Sequence, residues 1–198
     1  MFQVRIHGRG GQGVVTAADL LSIAAFAEGR FSLAFPSFGS ERMGAPVVAF
    51  VRIADSPIRS HEPVTAPDAL IVQDATLLHQ VDVFSGLPPE GFCLINSERD
   101  IGEMGLGDVL RLPDRWVTVP ATELARAHTG RPVPNVVLLG GFAALTGAVS
   151  LGSVLTAVRE RFAGRLGDTN AAAAEEAFAL VRERLETAKE GAGRAATG

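Results

Sequence analysis

Phe2-Gln-Val-Arg-Ile-His-Gly-Arg-Gly-Gly-Gln-Gly-Val-Val-Thr16 is an apolar-rich run that breaks into glycine at Gly8 and resumes with helical periodicity after Gly13. It predicts a first strand, a turn over residues 8–13, and a helix whose amino end emerges from the glycines. Glycines let a ligand approach the main chain closely. The unpaired N–H groups and positive dipole end of the helix then favour an anion, most often a phosphate. The same glycines also allow a helix and a strand to pack closely, and an isolated match of this pattern does not choose between the two uses.

The spacing Gly8-x-Gly10-x-x-Gly13 fits the dinucleotide-binding pattern between strand and helix. That site also wants an acidic residue ending the second strand, to hold a ribose. Here the next candidate strand, Phe31 to Phe35, ends in Ala34-Phe35-Pro36-Ser37 without a carboxylate, and Glu28 precedes it. A P-loop is excluded, because no Lys-Ser or Lys-Thr follows the glycines and the only lysine is Lys189. The turn is therefore expected to meet a phosphate-bearing ligand or a partner backbone.

Outward from the turn, small and apolar residues recur at helical spacing from Val14 to Glu28, with Gly29 as the stop. Residues 34–46 form a loop rich in Pro, Ser and Gly, within which Ser37, Ser40, Glu41 and Arg42 make a polar surface suited to a ligand or a neighbouring subunit, or a plain solvated turn. Val47 to Ile53 is a β-branched strand. The turn at 54–57 and the run Ile58-Arg-Ser60 suggest a hairpin with it, and hence a mixed sheet. Residues 68–74 make a buried-type strand ending in Asp74, which is placed either to border a ligand crevice or to cap a short helix over 76–84. Strands are expected at 92–96 and 116–119, with helices at 123–128, 136–149, 153–162 and 171–189, the last capped by Thr169-Asn170. The pair Gly140-Gly141 inside a helix implies close approach of another backbone. The order of elements predicts an α/β fold, a three-layer α/β/α sandwich with a mixed, mostly parallel, Rossmann-like sheet. A single domain over 1–190 and a flexible tail over 191–198 are expected.

At 198 residues, 47% hydrophobic and 20% charged, the chain has the composition of one globular domain. Its formal charge of −4 and lack of a basic stripe give no footprint for nucleic acid. One cysteine, Cys93, cannot hold an iron–sulfur cluster and rules out an internal disulfide. No apolar run approaches the ~20 residues of a bilayer span. Met1 leads straight into strand-like sequence without a charged leader, so a cytoplasmic location is expected. His7, His61, His79 and His128 lack metal-ligand spacing, and only His7 abuts the glycine turn. No catalytic residue and no metal site are identified, which favours a binding subunit over a complete enzyme.

Three segments carry a family resemblance. The turn His7 to Thr16, the segment Pro36-Ser-Phe-Gly-Ser-Glu-Arg-Met-Gly-Ala-Pro-Val47 leading into Ala49-Phe-Val-Arg-Ile53, and the helix start Pro134-Asn-Val-Val-Leu-Leu-Gly140 together resemble the gamma subunit of 2-oxoacid:ferredoxin oxidoreductases. The resemblance implies a hetero-oligomer that oxidatively decarboxylates a 2-oxoacid with coenzyme A to an acyl-CoA and reduces ferredoxin or a similar acceptor. Thiamine diphosphate and [4Fe-4S] clusters would then belong to alpha-, beta- and delta-type partner subunits. The gamma part would help enclose the active site and accommodate coenzyme A. Carried onto this chain, the binding motif falls on Gly8, Arg9, Gly10, Gly11, Gln12, Gly13, Ser37, Ser40, Glu41, Arg42 and Asn135. The alternative from a different class is a free-standing Rossmann-type reductase binding flavin or a nucleotide.

Overall fold

The computed structural model describes residues 1–37, 43–107, 109, 112 and 114–195. Six strands, β1 (Phe2–Arg9), β2 (Phe31–Pro36), β3 (Pro46–Ala54), β4 (Ala69–Val72), β5 (Phe92–Asn96) and β6 (Trp116–Val119), form one sheet in the order β2-β3-β1-β4-β5-β6. The pairs β1–β4, β4–β5 and β5–β6 are parallel, and β1–β3 and β2–β3 are antiparallel. The mixed, mostly parallel α/β sheet is thus as expected.

Five helices, α1 (Val14–Ala27), α2 (Ala121–Thr129), α3 (Asn135–Thr146), α4 (Leu151–Arg161) and α5 (Arg165–Ala195), accompany it. Alternation along the strands divides the core. Val4, Ile6, Val51, Ile71 and Leu94 point to the side where α1, α3, α4 and α5 pack. Leu70, Val72, Cys93, Ile95 and Trp116 point to the other, where the outer layer is a 3-10 helix, Ala75–His79, and irregular segments. Phe84 from that layer stacks on Trp116 at 5.0 Å. Two buried arginines tie it down. Arg5 donates to the carbonyls of Val64, Val83 and Ser85, and Arg52 to those of Ser60 and Glu62.

Those last two bonds correct one expectation. Residues 58–60 form no strand: their neighbourhood is anchored to the Arg52 guanidinium rather than to a ladder, and the antiparallel partners of β3 are β1 and β2. The short helix expected at 76–84 is the single 3-10 element ending at His79. α5 begins at Arg165, so Thr169 and Asn170 lie inside it, with both side chains donating back to the Leu166 carbonyl. It continues to Ala195, into the stretch expected as a tail. Gly140 meets the implied close approach: a Cβ there would stand 2.0 Å from the carbonyl oxygen of Ala174 on α5.

Candidate functional site at the glycine turn

β1 and β4 are parallel neighbours, yet the helix after β1 packs on one face of the sheet and the 3-10 helix after β4 on the other. Connections that part in this way leave a crevice at the carboxyl ends of the two strands. The glycine turn fills its lip. Gly10 bonds across to the residues just before β3, its N–H to the Ala45 carbonyl and its carbonyl to the N–H of Gly44. Gly11 (φ +93°) and Gly13 (φ +72°) adopt left-handed backbone that other residues resist. Gly13 is the N-cap of α1 and no side chain caps the helix, so its first-turn N–H groups lack a partner within the helix.

Arg9 and Gln12 hold the turn from within. The Arg9 guanidinium donates from Nε to Asp74 (3.1 Å), from Nη1 to the Gly44 carbonyl (3.0 Å), and from Nη2 to Thr76 Oγ1 (2.7 Å) and Gln80 Oε1 (2.9 Å). The Gln12 amide accepts the Arg9 backbone N–H (2.8 Å) and donates to Asp74 Oδ2 (2.9 Å). Asp74 also caps the 3-10 helix through the Thr76 N–H. Partial burial pushes its pKa up, but the bonds from Thr76 and Gln12 and the charge of Arg9 outweigh this, and the carboxylate lies below its usual range.

On the other side of the turn Asn135, buried at the start of α3, donates to the Gly13 carbonyl (3.3 Å). A Cβ on Gly13 would stand 2.3 Å from its Nδ2, so beside Asn135 this position has room only for glycine. A cavity of about 210 Å³ opens here, lined among others by Gly11, Gly13, Thr16, Asn135, Arg131 and Arg161. Among the described residues neither arginine is in an ion pair.

Deeper in, Gln73 is fully buried. Its main chain is fixed by its N–H to the His7 carbonyl and by Asn96 Nδ2 to its own carbonyl, while neither side-chain amide atom has a hydrogen-bond partner among the described residues. His7 faces the irregular layer and accepts the Nε–H of Arg5 at its Nε2 (2.9 Å), which puts the ring proton on Nδ1. Burial, and then the charge of Arg5, lower the His7 pKa to about 4, so the ring is neutral near pH 7.

The candidate residues therefore fall into three groups. Gly8 to Gly13 and Asn135 converge on one crevice. Ser37 follows β2, exposed, with its N–H on the Val48 carbonyl. Ser40, Glu41 and Arg42 lie outside the described residues. Sequence reasoning missed Gln73, Arg131 and Arg161. Gln73 alone left a trace, as the polar end of an otherwise apolar strand.

Comparison with known proteins bears on the chain as a whole. The family model described as pyruvate ferredoxin/flavodoxin oxidoreductase matches residues 3–180. Pyruvate synthase subunit PorC of Methanothermobacter thermautotrophicus is 47% identical over 183 residues, 92% of this chain and 97% of that protein. The crystal structure of pyruvate oxidoreductase subunit PORC from Thermotoga maritima superposes with TM-score 0.78 at 32% identity, covering 89% of this chain and 94% of the other. A 2-oxoglutarate:ferredoxin oxidoreductase from Magnetococcus marinus, solved with 2-oxoglutarate, coenzyme A and succinyl-CoA bound, shares the fold at TM-score 0.71 and 17% identity. It covers 92% of this chain and 31% of the longer one.

Proposed function

The chain belongs to the pyruvate ferredoxin/flavodoxin oxidoreductase family as a gamma-type subunit, and from that premise we propose that it closes over the active site of its complex and accommodates coenzyme A at the glycine turn. In this reading the complex oxidatively decarboxylates a 2-oxoacid, pyruvate being the first to test, to an acyl-CoA and reduces ferredoxin or a similar acceptor. Thiamine diphosphate and iron–sulfur clusters sit on alpha-, beta- and delta-type subunits and supply the carbonyl and electron chemistry. This chain contributes binding and enclosure.

The observation that carries the proposal is the uncapped amino end of α1 opening onto a cavity rimmed by Arg131 and Arg161. Free N–H groups and two guanidiniums suit the phosphates of coenzyme A. Arg9, whose guanidinium is engaged on four internal acceptors, acts by holding the turn in shape, and Asn135 by fixing Gly13. Ser37, Ser40, Glu41 and Arg42 are read as contacts toward the partner subunits. A dinucleotide reductase is disfavoured by topology. The strand that would bring a ribose-binding acid parallel to β1 is absent from that side, where β3 runs antiparallel.

In the assembled complex, Arg131→Ala combined with Arg161→Ala is expected to raise the KM for coenzyme A about tenfold or more with kcat little changed, the loss of one or two charge-assisted contacts. An unchanged KM would remove these arginines and the cavity from the binding role. Anaerobic co-purification followed by mass spectrometry tests the assembly itself. Thiamine-binding and cysteine-rich subunits are expected to accompany the chain.

A further inference from the structure

The amide of Gln73 is a buried polar group with no hydrogen-bond partner among the described residues. Its backbone N–H and carbonyl are both engaged, which fixes the main chain from which the side chain springs. A buried amide left unsatisfied is unfavourable, and such groups in native proteins call for an explanation. Its Oε1 lies 3.1 Å from the point where a Cβ on Gly8 would stand. The Oε1 of Gln12 lies 3.1 Å from the same point. The two amide oxygens thus approach one point beside Gly8, where the nearest atom is Val14 Cγ2 at 2.6 Å.

Gln12 in turn occupies a revealing place. Its carbonyl oxygen accepts the backbone N–H of Arg9 inside the turn, the part an oxygen of a bound anion would play, and α1 begins beside it without a cap. An anion entering the turn competes with that oxygen, and a displaced Gln12 amide needs another partner. Gln73 offers both a donor and an acceptor to it.

We propose that Gln12 is a two-position strap: it spans the glycine turn through Arg9 and Asp74, and swings onto the buried amide of Gln73 when a phosphate-class anion takes the turn. Gly8 adds no side chain to a gap that Val14 Cγ2 already borders. The exchange rests on the reading of the glycine turn as an anion site, and it makes Gln73 a positioning residue that touches Gln12 and not the ligand.

Titration of the full-length chain with inorganic pyrophosphate tests it as a double-mutant cycle. Gln73→Met, which keeps the volume and removes the amide, is expected to weaken pyrophosphate binding about tenfold, the worth of a lost buried hydrogen-bonded pair. In a Gln12→Ala background, where there is no strap to receive, the same substitution should change nothing. Equal affinity of wild type and Gln73→Met overturns the exchange while leaving the anion site standing, as does an equal loss in both backgrounds. Absence of pyrophosphate binding by the wild type overturns both the exchange and the anion site, but not the family assignment. Side-chain amide NMR of the unsubstituted chain decides the matter if the variant does not fold. The Gln73 carboxamide protons should become protected from exchange on adding pyrophosphate, and unmoved Gln73 resonances refute the strap.

Discussion

His7 illustrates how little a residue's type says about its use. It borders the glycine turn in sequence, but its ring turns to the opposite side of the sheet and serves as the acceptor for Arg5. Its pKa near 4 lies below the value of about 6.5 expected in the unfolded chain, so between those values the unfolded state binds the extra proton. The stabilisation is therefore complete above about pH 6.5 and lost as pH falls toward 4, up to about 3 kcal/mol in all. Urea midpoints should drop over this window, and His7→Gln, which can still accept from Arg5, should flatten the drop. Asp74 acts in the same direction at lower pH, because its depressed pKa adds stability above the ordinary carboxylate range that is lost on protonation. Arg5 is the other half of the pair. Arg5→Met removes the donors to three loop carbonyls and should destabilise by about 3 kcal/mol, read from the urea midpoint at pH 7.

At the scale of elements, α1, α3 and β1 follow directly from pattern. An alanine-rich helix after glycine, an all-round apolar helix with two glycines, and an alternating first strand each have one economical reading. The α3–α5 contact is the sharpest instance. Gly140 lies against the α5 backbone at Ala174, and the neighbouring α5 surface there is alanine, at Ala171, Ala173, Ala174 and Ala177, all buried. Gly140→Ala gains helix propensity of about 1 kcal/mol but forces two backbones apart. The net is expected to be destabilising by about 3 kcal/mol, or close to 10 °C in Tm by calorimetry. Residues 58–60 were illegible by the same rules. Their apolar and polar spacing reads as a hairpin strand, but the carbonyl of Ser60 is taken by Arg52 from the neighbouring strand, a partner no local pattern announces.

At the scale of the whole molecule, one sheet divides two unlike layers, helices on one face and arginine-anchored irregular chain on the other. No helix among the described residues is long and apolar enough to cross a membrane. Among those residues the last α5 side chains packed on the core are Val181 and, half-buried, Leu185. Residues 1–190 are accordingly expected to suffice for folding: a chain ending at residue 190 should match the full chain in Tm, and a fall of several degrees would extend the folded unit into the last residues. The α/β class, the glycine turn ahead of a helix and the family are legible in residue order alone, because backbone freedom, helical period and motif spacing are local quantities. Which groups meet at the turn is settled by packing. Arg9 and Gln12, the adjacent Gln73 and Asp74, Arg131 and Arg161 come from four separate segments of chain. Their roles depend on which hydrogen-bond valences remain after packing, a balance struck between residues distant in sequence.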